Sequence, residues 1–387
     1  MKNNMQKFLL IFFLIIALLC NPGCNKQEIN DTSIPLGLGI DWQEGSYTVT
    51  AEMAKPIPLG QSGSSAQDQF IVLSGTGKTI TEAARNITLS MPMFPLWSHS
   101  DLILLGENLA QKDVALFADF FARNRFVRKN SPILITRGAN PFDVYEVKTP
   151  LDPHSAHGIK GILQVQEKQL GIYVPVKFSD FLEKLATPGV EAVLPQVIID
   201  KQGGNSLIKL DGTAVFKDTK LVGSLDEMES RGFRWMQRGM IAGGIIIIPS
   251  PLDNTKLITL ELTRSKATIT PEIKNNTIKM KIAIKAEGNF YEQNSTGEIL
   301  TLENVPKIEA LADQEIARQI SACITKAQYL KSDILGWGRM VDSKDPKLWK
   351  DIEKDWPQIF AGMEYDVKVQ FELRRTYLTD KSFVFRE

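Results

Sequence analysis

Hydrophobic and polar positions change rhythm several times along the chain, and each rhythm predicts an element. "SIPLGLGIDW" and "GSYTVTAEMAKP" read as two strands joined by a turn over Gln43 to Ser46, with Tyr47, Val49 and Ala51 alternating against polar neighbours. After a polar loop from Leu59 to Gln69 comes the strand "FIVLSG", then a helix starting near Thr79 that carries Ile80, Ala83, Ala84, Ile87 and Leu89. "SDLILLGE" is a strand whose end adjoins a helix start, "DVALFADFFARNRF" puts Val114, Leu116, Phe117, Phe120 and Phe121 on one helical face, and "SPILITRG" is a further strand. This alternation gives the first half α/β or α+β character. Thr149 to His157 reads as a connection, "FSDFLEKLATPG" as a short helix capped by Ser179 and stopped by Pro188 and Gly189, and "VEAVLPQVIIDKQGGNS" as a strand ending in a turn at Gly203 and Gly204.

Beyond that turn the period of two dominates. "KATITPEIKNNTIKMKIAIKAEGNFYEQ" gives two alternating strands around Asn275 and Asn276, with Ile278, Met280, Ile282 and Ile284 on one face. A long helix follows, with Pro306 near its start, Ile316, Ile320, Ile324, Ala327 and Ile334 on one stripe, and Gly336 and Gly338 near its end. "YDVKVQFELRRTY" is a last strand with Val367, Val369 and Phe371 on one side. The expected fold is multidomain α+β: a mixed α/β N-terminal region, and a C-terminal antiparallel sheet packed on the long helix. The expected divisions are a lipoprotein signal peptide over 1–23, an N-terminal region over 24–202 with room for two subdomains, and a C-terminal domain over 203–387.

The opening segment sets the compartment. Lys2 and Lys7 precede an uncharged stretch from Phe8 to Leu19, and Gly23 stands before Cys24. As a helix that stretch covers about 18 Å of a hydrocarbon layer about 30 Å thick, too short for a comfortable span. The oiliest later segment, Ile241 to Ser250, reads as a buried strand, so an exported soluble body is expected. Gly-Cys at the end of an export signal looks like a bacterial lipobox, with Cys24 acylated and left as the first residue; a plain cleaved signal and an uncleaved anchor are the alternatives. Leu19 is too large a neighbour to make Cys20 the cleavage site, whereas Asn21 stands where lipoboxes usually carry leucine. With Cys20 removed and Cys24 acylated, Cys323 alone is left, which rules out a disulfide framework and reads as a small buried residue.

Charge and motifs exclude more than they assign. The 45 basic and 45 acidic residues of the 387 balance, so no global field marks a nucleic-acid binder. "VLSGTGKTI" ends like a phosphate-binding loop at Gly77, Lys78 and Thr79, yet Val72 stands where its first glycine is needed, so a capped strand-to-helix turn is the better reading. "GLGIDW" fails as a dinucleotide fingerprint at Trp42. His154 and His157 lack a third ligand at matching spacing, His99 reads as structural, Asp351, Glu353 and Asp355 as a charged helix face, and the basic run Arg123 to Asn130 as a complement to a helix dipole, with contact to anionic lipid heads as the alternative. No catalytic, cofactor or metal residues are expected.

Segment order then carries a resemblance. The lipobox followed by "QEINDTSIPLGLGID", with "GTGKTITEAARNI", "SHSDLILLGENLAQKDVALFADFFARNRFVRKNSPILITRG" and "LDGTAVFKDTKLVGSLDEMESRGFRWM", resembles the Ger(x)C family, the lipoprotein C subunits of spore germinant receptors. The resemblance covers essentially the whole mature chain. It implies several α/β domains, no cofactor, a lipidated cysteine that maps onto Cys24, and a non-enzymatic subunit. That subunit would be tethered to the outer face of the spore inner membrane beside two polytopic receptor subunits. From the residues alone, a substrate-binding lipoprotein of a transporter and an acylated surface hydrolase stay open.

Overall fold

The structure, a computed structural model, describes residues 31–55, 70–123, 127–275, 277–294 and 297–376. Two short strands, β1 (Thr32–Ser33) and β5 (Phe94–Pro95), pair with each other. Eight longer ones form a mixed sheet: β2 (Pro35–Gln43), β3 (Ser46–Ala54), β4 (Phe70–Gly77), β6 (Leu102–Gly106), β7 (Ile133–Thr136), β8 (Val193–Gln202), β9 (Asn205–Lys217) and β10 (Lys220–Leu225). Their order is β10-β9-β8-β7-β6-β2-β3-β4, with β2, β6, β7 and β8 mutually parallel in the centre and antiparallel hairpins on both flanks.

β6 is apolar at every position, and β7 at all but Thr136, because helices cover both faces of the sheet there. Ile103 and Leu105 face a core with Phe117, Phe121, Phe178 and Phe181, while Leu102 and Leu104 face one with Tyr145, Ala156, Ile159 and Leu163. On β2, Gly37 and Gly39 leave the space that Tyr145 and Pro141 fill, and the Tyr145 hydroxyl donates to the Leu38 carbonyl at 3.1 Å. "GLGID" is therefore a packing motif. Its aspartate, Asp41, accepts from the amides of Trp42 at 2.8 Å and Leu109 at 3.1 Å, which ties β2 to the helix Glu107–Lys112.

Most expected elements appear, with informative shifts. Thr79 caps the helix Ile80–Asn86 by accepting from Glu82 N at 3.1 Å, but Leu89 falls in a separate tight turn, Ile87–Leu89, and is exposed, as is Leu116 on the outer side of its helix. Lys177 rather than Ser179 is the N-cap of Phe178–Ala186. The turn at Gly203 and Gly204, both with positive φ, makes β8 and β9 a tight hairpin. The boundary expected at 203 thus falls on a turn inside the sheet, and the chain adds β9 and β10 before leaving it. The loop from Leu59 to Gln69 lies outside the described residues.

The second sheet is built on a long hairpin, β13 (Leu257–Lys274) and β14 (Thr277–Gln293), with β11 (Met240–Ile241) and β12 (Ile245–Pro249) antiparallel along the outer side of β13. Ile241 to Ser250 is not one buried strand. Gly243 and Gly244 interrupt it at positive φ, and β12 is a half-buried edge with Ile246 and Ile248 inward and Ile247 exposed. The last strand, β15 (Glu364–Thr376), joins β14 in parallel, because a helical crossover returns the chain to the end where β14 began. That crossover starts with the helix Val305–Tyr329, which buries Ile308, Ala312, Ile316, Ile320, Cys323, Ile324 and Ala327. It ends earlier than expected: Ile334 packs from the following loop, and Gly336 caps a separate helix, Trp337–Lys344. Asp313 and Glu309 on the long helix accept from the outward amides of Phe371 at 2.7 Å and Leu373 at 2.9 Å, closing this part of the free edge of β15.

A short helix, Glu227–Trp235, joins the two sheets. Asp226 and Glu229 form a capping box, each accepting from the other's backbone at 2.8 Å. Gly232 lies against the Gln319 carbonyl of the long helix with no room for a Cβ, and Trp235 Nε1 donates to Gln319 Oε1 at 2.8 Å. Arg234, almost fully buried, donates to the carbonyls of Ala242 at 2.8 Å and Gly243 at 3.0 Å. Arg231 reaches Leu170 at 2.7 Å and Ile245 at 3.1 Å. Gly232→Ala is expected to destabilise the chain by about 2–3 kcal/mol through forced separation of the two helices. Gly161→Ala, on a helix with nothing within 4 Å of the added carbon, should instead stabilise it by about 0.5–1 kcal/mol. Urea denaturation midpoints of the two variants check this pair.

Candidate functional site

Cys24, the residue to which the sequence assigns a function, lies outside the described residues together with Cys20 and Asn21. The described chain begins at Asp31 and enters β1 and then β2, a central strand. The described chain thus enters the middle of the larger sheet, at the end where β2, β6 and β7 all start.

All three histidines gather at that end, although sequence spacing suggested no such grouping. The rings of His154 and His157 lie 5.5 Å apart. Asp101 is 3.3 Å from His157 Nε2, 3.4 Å from Lys160 Nζ and 3.8 Å from Arg128, and Arg128 is 3.5 Å from His99 Nδ1. His154 Nδ1 stands 3.9 Å from Glu52 Oε1. Glu52 is fully buried on β3 and accepts from the amides of Ser155 and Ala156, each at 2.7 Å, at the N-terminus of the helix Ser155–Gln169. Burial pushes its carboxyl up to about 7, against the pull of those two amides, while burial and the neighbouring His157 lower His154. Among the described residues no group of three or more His, Cys, Asp or Glu could hold a metal ion. What the arrangement does is fix the start of a helix with a buried carboxylate.

An open cleft of about 330 Å³ lies between the two modules, lined by Lys184, Glu191, Lys331, Trp349, Glu353 and Trp356 among others. At its base Asp333 accepts from Gly338 N at 2.7 Å, Trp356 Nε1 at 3.0 Å and Trp337 N at 3.1 Å, and burial raises it to about 6. Glu191 accepts from Asp218 N at 2.7 Å and is raised to about 7, again by burial. Lys184 Nζ rests 5.7 Å from the Phe233 ring centroid. These carboxylates serve as acceptors for loop amides, a role that their sequence neighbours do not reveal.

The remaining candidates have structural roles. Cys323 is buried on the long helix, where burial pushes its thiol well above the ordinary range. Glu82 accepts from Lys78 N at 2.8 Å and Thr79 caps the same helix, so "GTGKT" is a helix start. Of the basic run, Arg123 pairs with Asp119 at 2.9 Å in the last turn of its helix and Arg128 with Asp101; residues 124–126 lie outside the described part. No helix among the described residues is long and apolar enough to cross a membrane.

Comparison with known proteins accounts for this design. Residues 25–199 match the family model described as spore germination protein N-terminal domain, and residues 211–377 match that described as spore germination B3/GerAC like, C-terminal. The chain belongs to the Ger(x)C family. It is 24% identical to spore germination protein KC of Bacillus subtilis (strain 168), over 96% of this chain and 97% of that one. With spore germination protein B3 of the same organism it shares 26% identity, over 95% and 97%. In fold it is similar to a chain solved as the crystal structure of the GerBC protein, with a TM-score of 0.56 and 22% identity over 87% of this chain and 96% of that one. Two of the stretches that carried the resemblance make packing contacts: Gly37 and Gly39 against Tyr145 and Pro141, and Gly232 to Trp235 against the long helix.

The buried carboxyls set a pH dependence. Their ordinary values are 4.5 for Glu52 and Glu191 and 3.8 for Asp333, against about 7, 7 and 6 in the fold. Between these values the folded chain holds protons that the unfolded chain has released, so stability is greatest at the acid end and falls as pH rises from about 4 to about 7. Glu272 and Glu287, held near 2 by Lys and Arg partners, act mainly below this window, and the lowered His154 opposes the trend below its ordinary 6.5 as one group against three carboxyls. Thermal unfolding midpoints should therefore drop from about pH 5 to about pH 7.5, and Glu52→Gln should make that drop shallower. An unchanged slope in the variant would remove Glu52 from the account.

Proposed function

We propose that this chain is the membrane-anchored lipoprotein subunit of a nutrient germinant receptor, held on the outer face of the spore inner membrane by a lipid on Cys24. It acts there beside polytopic receptor subunits in spore germination. The observation that carries this reading is the pair of family domains in order along one chain, the first starting at residue 25, directly after Gly23-Cys24. A non-enzymatic role fits the buried carboxyls Glu52, Glu191 and Asp333, each of which accepts hydrogen bonds from the chain's own backbone amides. The transporter-type alternative calls for two doubly wound lobes around a ligand cleft, whereas the C-terminal half is a hairpin-based sheet on one long helix.

The anchor is physically sufficient. Each buried methylene contributes about 0.8 kcal/mol and a single acyl chain binds marginally, so the two or three chains of a bacterial lipoprotein hold firmly. Confinement beside membrane partners raises the effective concentration, and modest contact patches then suffice for assembly. Cys24→Ala is expected to release the protein from the membrane fraction and to weaken the spores' response to nutrients, with an unchanged circular dichroism spectrum. Full response with the variant still sedimenting in membranes would refute this role. Mass spectrometry of the mature N-terminus checks acylation directly.

A further inference from the structure

Resting on the anchored reading, we infer that the end of the eight-stranded sheet where β2 begins lies on the lipid surface, through a ring of exposed apolar side chains. Seven residues, 25–31, separate Cys24 from Thr32, the first residue of β1. Fully extended, the eight steps from Cys24 to Thr32 reach at most about 29 Å, so the lipid cannot lie far from this end.

The register fixes what shares this end. β2, β6 and β7 start here, β3 ends here with Ala54 N donating to Ile34 O, and β4 starts here, Ile71 opposite Met53. β5 is held beside β1 by the pairing of Phe94 with Thr32, and Ser33 Oγ reaches Met91 Sδ at 3.4 Å. Ile34, Ile71, Phe94, Leu151 and Leu89 are exposed here, at 43%, 42%, 56%, 100% and 84%. Leu89 lies two residues from Met91, and Leu151 in the turn leading to His154 and the Glu52 cluster. Single exposed apolar residues are ordinary on a protein surface; five at the end where an acyl tether emerges are not scattered.

Charges at this end are mixed: Lys55, Arg128, Lys129, Lys160 and Lys177, with His99 and His157, stand beside Asp31, Asp101 and Asp180, and Asp101 already lies within 4 Å of Arg128, His157 and Lys160. The contact is therefore apolar, with side chains entering the headgroup boundary by about 5–10 Å, and does not require anionic lipid.

The test uses the full acylated chain carrying Cys323→Ala, reconstituted alone into phosphatidylcholine vesicles containing nitroxide-labelled lipid. Phe94→Cys and Gln43→Cys are each labelled with a fluorophore; Gln43 sits at the opposite end of β2, roughly 30 Å away. Quenching at position 94 should exceed that at position 43 by at least about twofold, and adding phosphatidylglycerol should leave the ratio unchanged. Equal quenching in a preparation shown by mass to be acylated on Cys24 would overturn the orientation while leaving the anchor. Shielding of position 94 only when the polytopic subunits are co-reconstituted would make this a protein interface and overturn the lipid assignment. Absence of acylation, with the chain free of the vesicles, would overturn the anchored reading and this inference together.

Discussion

Two arginines on the helix Glu227–Trp235 hold the molecule together, because Arg231 and Arg234 donate to carbonyls of two otherwise separate segments, Leu170 and the stretch Ala242 to Ile245. A buried guanidinium is tolerated only where acceptors converge on it, and here they come from the end of the helix Ser155–Gln169 and from both sides of the Gly243-Gly244 break. The C-terminal carbonyls of a helix carry partial negative charge, so the cations sit where the backbone already favours them. On the opposite side, Gly232 admits the long helix to contact distance and Trp235 locks onto Gln319. One short helix thus ties the eight-stranded sheet to the five-stranded one, and the long hairpin takes its position from it.

Carboxylates do comparable work elsewhere. Glu52, Glu191 and Asp333 are held in their unusual protonation range by burial, yet each has backbone amides as partners. Perturbed carboxyls in a cleft often mark catalysis. Here each one fixes the start of a helix or loop. Asp313 and Glu309 carry the same logic to the sheet edge, occupying amides that would otherwise accept a foreign strand.

The described chain enters the larger sheet through a central strand rather than a peripheral one, so its N-terminal end is packed against the parallel core. The hairpin sheet, with one face solvated and β12 half-exposed at its edge, extends the body from the junction helix.

Periodicity alone determined much of this fold. The two-residue rhythm of Ile278, Met280, Ile282 and Ile284, and the helical stripe of Ile316, Ile320 and Ile324, can each be buried in only one way, so strand and helix follow from local pattern. The all-apolar "LILL" and the exclusion of phosphate and dinucleotide loops were equally legible, since both depend on short spacings. Pairing was not. Whether β15 runs parallel or antiparallel to β14, and whether Gly203-Gly204 ends a domain or turns a hairpin, depends on where a crossover returns the chain, which no local window contains. The gathering of His99, His154 and His157 around Asp101 and Glu52, and the convergence of carbonyls on Arg234, also needed the tertiary structure. Each joins residues tens of positions apart, and the desolvation that gives a buried charge its partners exists only once the chain has closed around it.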